Sequence, residues 1–163
     1  ESGDVDESVR ADETLESLKK NPDYPQMNDL RILDRLIAFY PERCRTLLKS
    51  GNHERVIATT RRWEEFVLAP EHQDYFDAQN AFYQSKDLAV FNLRYYRWIA
   101  LDRTGTDSTQ TDNALQDAKL ALRNCVANKK FDFELVIRDF ELFGLPFEPI
   151  LEWKTTFEDE TVL

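Results

Sequence analysis

Shifting the chain by 35 residues against itself superimposes Tyr40 on Tyr75, Ser50 on Ser85 and Trp63 on Trp98. At the same shift Leu47 meets Phe82, Leu48 meets Tyr83, Val56 meets Phe91 and Ala58 meets Leu93. With only three Trp in the chain, a Trp-on-Trp match is hard to produce by chance. A period in this range is the mark of stacked supersecondary units, because one hairpin cannot bury its apolar face alone. Each unit is expected to be two antiparallel helices, turning at Ser50-Gly51-Asn52 and at Ser85-Lys86-Asp87. Tyr40, Trp63, Tyr75, Phe91 and Trp98 are the expected repeat core, with the two indoles in equivalent places of successive layers.

Local patterning supports helices throughout. Leu30, Leu33, Ile37 and Tyr40 follow helical spacing. Pro41 then suits the first turn of a new helix, with Cys44, Leu47 and Leu48 continuing the apolar stripe. Val56, Trp63, Phe66 and Val67 mark a second helix. Pro70 opens another, with Tyr75, Ala78 and Phe82 on one face. Leu88, Phe91, Tyr95, Trp98 and Ile99 follow. Residues 104–112 read as a polar loop. Ala114 to Val126 carries small residues at packing positions. Phe133, Val136, Ile137 and Phe140 make another helix, and Phe147, Ile150, Leu151 and Trp153 a last one that frays after Phe157. Gly51, Gly105 and Gly144 each fall just beyond a helix, where a left-handed residue closes it. The expected fold is all-α, a short solenoid of stacked antiparallel hairpins with about seven to eight helices. It is divided into an acidic arm over 1–27, a helical domain over 28–157 and a tail over 158–163.

Charge narrows the function. The formal net charge is −10, from 31 Asp and Glu against 21 Lys and Arg. Phosphate binding rests on clustered cations, so nucleic acid is disfavoured as a ligand. An anionic membrane surface is disfavoured for the same reason, and no apolar run reaches transmembrane length. Cys44 and Cys125 each sit on an apolar stretch and read as buried thiols, with a single bridge left open. His53 and His72 stand on different elements and give no metal-ligand spacing. There is no glycine-rich phosphate loop. No catalytic, cofactor or metal residues are assigned.

The stretches YPERCRTLLKSGNHERVIATTRRW and YFDAQNAFYQSKDLAVFNLRYYRW resemble units of the pentatricopeptide repeat family. A looser third unit runs from Asn113 to Pro146. The family pattern is a helix opening on Tyr, a turn like Lys-Ser-Gly-Asp-Leu, and a second helix of spaced apolar residues. The resemblance implies the stacked-hairpin fold. Most members bind single-stranded RNA, one base per repeat, through a polar residue directly after the opening Tyr. Here those places hold Pro41 and Phe76, which cannot make hydrogen bonds to base edges. An organellar RNA-binding role is therefore the alternative, and a protein partner the leading expectation. Small acidic proteins of this kind attach to the nucleotide-binding subunits of the catalytic head of trypanosome-type mitochondrial ATP synthase. The resemblance thus implies a non-catalytic subunit of a mitochondrial complex. The absence of Met before Glu1 is compatible with a processed form. Arg61 and Arg62 make a basic spot suited to partner carboxylates, with intrahelical pairing to Glu65 as the simpler role. Phe76 and Gln79 complete the expected partner-binding set. The segment LRILDRLIAFYPERCRTLL is also similar to the first helix of a helical chorismate mutase, but the residues after Leu48 do not supply the Arg and Lys set that enzyme requires.

Overall fold

In the computed structural model, residues 30–79, 85–105 and 107–161 are described, with side chains from Ile37 onward. The predicted acidic arm, Phe82 and the side chains of Leu30 and Leu33 lie outside that set.

The first helix, α1 (Leu30–Lys49), runs straight through Pro41. This corrects the expectation of a new helix at Pro41. The ring removes the N–H that would bond the Ile37 carbonyl, but Ile37, Tyr40, Cys44, Leu47 and Leu48 are all buried on one stripe. Burial of that stripe on both sides of the proline outweighs one missing hydrogen bond.

Gly51, at φ +77°, turns the chain back into α2 (His53–Leu68). Gly51 N–H donates to the Leu48 carbonyl and Asn52 N–H to the Leu47 carbonyl at 2.9 Å. These bonds satisfy the last carbonyls of α1 in a Schellman arrangement. A single 3₁₀ turn, Pro70–His72, leads into the short α3 (Gln73–Asp77). The predicted face of Tyr75 and Ala78 holds only in part: Tyr75 is buried, whereas Ala78 is exposed beyond the end of α3.

Helix α4 (Lys86–Thr104) starts where Ser85 accepts the Leu88 N–H at 3.2 Å. Gly105, at φ +60°, ends it. The next helix, α5 (Ser108–Val126), begins after only three residues, with Asp107 accepting the N–H groups of Thr109 and Gln110. The polar stretch predicted as a loop over 104–112 is thus mostly helix. Its Ser, Thr and Asp residues act as a cap and a solvated first turn, which composition alone does not separate from a loop. Asp132 likewise accepts the Glu134 N–H and caps α6 (Phe133–Leu142). Gly144 closes α6 as Gly51 closes α1, and α7 (Glu148–Thr161) runs one turn beyond the predicted end at Phe157.

Among the described residues the chain is all-α, with seven α-helices and no strand. Three antiparallel hairpins, α1/α2, α4/α5 and α6/α7, pack on one another around a single core. Helix α4 is its centre. Eleven of its 19 residues are buried, on every side of the helix, as a helix enclosed by neighbours requires. Tyr95 shows why: its ring meets Phe91, Trp98, Phe140 and Trp153 at 4.7–6.1 Å. Its hydroxyl donates to the Pro146 carbonyl at 2.6 Å.

The five expected repeat-core residues are all buried, but the two indoles are not equivalent. The Tyr40 hydroxyl donates to the Ala89 carbonyl, and Arg45 donates to the Tyr96 hydroxyl. Numbers rise together, so α1 and α4 run in the same sense. The hairpin at Gly51 then makes α2 run opposite to α4, whereas units repeating by translation would set those two helices parallel. Trp63 lies against Tyr40 and Phe66. Trp98 lies against Tyr95, on its own helix.

Candidate functional site

The end of α6 carries Leu142, the most exposed large apolar side chain among the described residues. Leu142 and Phe143, at that C-terminal end, are 69% and 52% exposed. The amphipathic pattern turns Val136, Ile137 and Phe140 inward. Among the described residues, none covers Leu142 and Phe143 fully. Leu135 is exposed on the same helix.

Phe143 sits over a groove built from three separate stretches of the chain. Glu42, Arg45, Thr46, Leu48 and Lys49 come from α1, Arg103 from the end of α4, and Gly144 and Leu145 from the turn after α6. The Arg45 guanidinium stacks on the Phe143 ring at 3.8 Å from its centroid. This cation–π contact leaves the outer ring face in solvent. Beneath it lies an inner recess of about 40 Å³, lined by Leu88, Asn92, Tyr96, Asp139 and Phe140 among others. Neither Lys49 nor Arg103 has an ion-pair partner among the described residues.

The predicted partner-binding residues fall on two other surfaces. Arg61, exposed on α2, lines a recess with Arg94 and Arg97 of α4 and with Gln110, Asn113 and Asp117 of α5. Glu64 holds that recess together: Arg94 Nε donates to it at 2.5 Å and Arg97 at 3.0 Å. Burial pushes the Glu64 carboxyl up, but the hydrogen bond from Arg94 and the charge of Arg97 prevail and lower it. Arg61 has no ion pair with Glu65 among the described residues. Arg62 is half-buried. Phe76 and Gln79 line a polar recess with Gln73, Asp77, Lys86, Asn128 and Lys130. Phe76 itself is 7% exposed and edge-on to Tyr75 at 5.1 Å, so its ring belongs to the core. Gln79 donates to the Tyr75 carbonyl.

The perturbed groups elsewhere are structural. Burial raises the Tyr40, Tyr95 and Tyr96 phenols well above their ordinary range. Burial pushes the Cys125 thiol up to about 12, which makes it a poor nucleophile. Cys44 and Cys125 are both buried, and no disulfide joins them. His72 is buried, with Nδ1 2.7 Å from the Phe66 carbonyl oxygen. His53 is the first residue of α2. Among the described residues no group of His, Cys, Asp and Glu is placed to hold a metal, and no helix is long and apolar enough to cross a membrane.

The surface around Phe143 escaped the sequence reading. Leu142-Phe143-Gly144 reads there as the end of an amphipathic helix. The available signal was two large apolar residues continuing past the last inward position of a short helix.

No protein-family model, curated protein or solved structure matches the chain.

Proposed function

We propose that this chain is a non-catalytic structural subunit that binds a partner protein within a larger mitochondrial assembly. The observation that carries the reading is the pair Leu142 and Phe143, large apolar side chains left in solvent beside a basic groove. Exposed apolar side chains grouped at a polar rim are the anatomy of a protein contact. The acidic balance of the chain supports a protein over a nucleic acid. The burial of Phe76 supports it too, because a core ring cannot read a base edge. The assembly that best fits the pentatricopeptide resemblance is the catalytic head of mitochondrial ATP synthase, with this chain on its nucleotide-binding subunits.

The test is native isolation of a tagged full-length chain from mitochondria, followed by mass identification and an ATP hydrolysis assay. Recovery with the nucleotide-binding subunits in a fixed ratio is expected, with hydrolysis by the head unchanged after the chain is stripped off. A chain that runs alone, or a head that stops hydrolysing ATP without it, contradicts the proposal. Retention of a defined RNA with a steep salt dependence would favour the nucleic-acid alternative.

A further inference from the structure

We propose that the groove between α1 and the turn after α6 docks an acidic amphipathic helix of the partner, its apolar stripe on Phe143 and its carboxylates on Lys49 and Arg103. This rests on the protein-binding reading above and adds the site and the partner's chemistry.

Three observations lead to this occupant. The first is charge. The open groove carries Arg45, Lys49 and Arg103 against the single carboxylate of Glu42. The chain as a whole carries ten more acidic than basic groups. A local reversal on such a background selects an acidic ligand and repels a basic one. The second is the state of the cations. Lys49 and Arg103 are exposed and outside any ion pair among the described residues, so they are open to a partner's carboxylates. The third is shape. The groove runs along one side of α1 and is closed by Arg103 at the end of α4 and by the turn at Phe143–Leu145, with an aromatic ring held at its edge by Arg45. A groove along a helix face receives a second helix through side chains spaced three and four residues apart. A second copy of this chain would bring the same negative charge to the contact, which opposes association. A polyanion such as RNA would meet only three cations at the groove and a net negative chain around it.

The experiment uses the full chain and three fluorescent synthetic helical peptides that share one Leu/Phe stripe. Their flanking positions are all Glu, all Gln or all Lys. Anisotropy titrations at low salt are expected to give the order Glu, Gln, Lys, with about tenfold or more between the extremes. The double substitution Lys49→Glu and Arg103→Glu should reverse that order. Phe143→Ala should weaken all three peptides while circular dichroism stays unchanged.

Equal binding of the Glu and Lys peptides, or binding of none, overturns the proposal. So does a Glu13→Gln, Glu16→Gln variant that binds the Glu peptide about tenfold tighter, since the chain's own residues 1–27 would then occupy the groove. A concentration-dependent dimer abolished by Phe143→Glu would assign the groove to a second copy, and also overturns it. Native isolation of the Phe143→Glu chain separates the two levels. Co-isolation undiminished by that substitution rejects the groove and leaves the protein-binding reading standing.

Discussion

Residues 40–68 and 75–103 share a pattern of apolar residues but not a structure. In the first stretch, two long helices fold back on each other and Tyr40 meets Trp63 at 6.0 Å between ring centroids. In the second, α3 spans only five residues, and α4 leaves to become the centre of the molecule. Its hairpin partner is the following helix, α5. The matched positions diverge accordingly. Ala58 is exposed on α2, whereas Leu93 is fully buried on α4. Trp63 closes the contact between α1 and α2, and Trp98 packs along its own helix. Periodic apolar residues dictate which side chains are buried. Connection length and helix direction dictate which of them meet.

The largest effect breaks the comparison at its aromatic pair. Trp63→Ala should lower stability by about 3–5 kcal/mol in urea unfolding. The double-mutant cycle of Tyr40 and Trp63 should show coupling of about 0.5–3 kcal/mol. The cycle of Tyr75 and Trp98 should be additive to about 0.5 kcal/mol. Equal coupling in both cycles would restore the equivalence of the two stretches.

The next effect concerns how α5 approaches α4. Ala114, Ala118 and Ala121 are buried on the facing side of α5. Their small size lets the two helices lie close. Ala118→Leu should cost about 1–3 kcal/mol by overpacking. The same substitution at Ala58, on the exposed face of α2, should leave the unfolding midpoint nearly unchanged.

Gly105→Ala comes third. A Cβ there meets nothing within 4 Å, but φ is +60°. The loss, about 1–2 kcal/mol, is conformational. It should appear equally in thermal and in denaturant unfolding.

The smallest effect at neutral pH is Glu64→Gln, about 1 kcal/mol or less, because the ion pair is partly solvated. Its pH dependence is more telling. The folded-state carboxyl is lowered from 4.5. Its contribution is therefore fully present above that value and lost as pH falls through the folded value. Acid titration of stability should be shallower below about pH 4.5 in the variant. Identical acid limbs would mean that Arg94 and Arg97 do not hold Glu64.

Much of the fold was legible because local signals agreed. Gly51, Gly105 and Gly144 mark three helix ends, and the helical period of the apolar residues marks the buried faces. The misreadings have separate physical causes. Pro41 looks like a boundary because its ring breaks a hydrogen bond, yet burial on both sides carries the helix through. Residues 108–112 look like a loop because caps and first turns share the polar residues of loops. The groove was the least legible part. It joins Lys49, Arg103 and Phe143, which lie far apart in sequence and meet only through the direction of α4. The pattern at Arg61 and Arg62 was visible, but the recess that Arg61 shares with Arg94 and Arg97 required the packing of α2 on α4.

The most direct measurement of the central claim is hydrogen exchange of the chain, alone and within its natively isolated assembly. The account predicts that assembly slows exchange at residues 42–49 and 139–145, while the amides of α4 are already the slowest in the free chain. Added protection confined to the recess of Arg61, Arg94 and Arg97, or found nowhere, would contradict it.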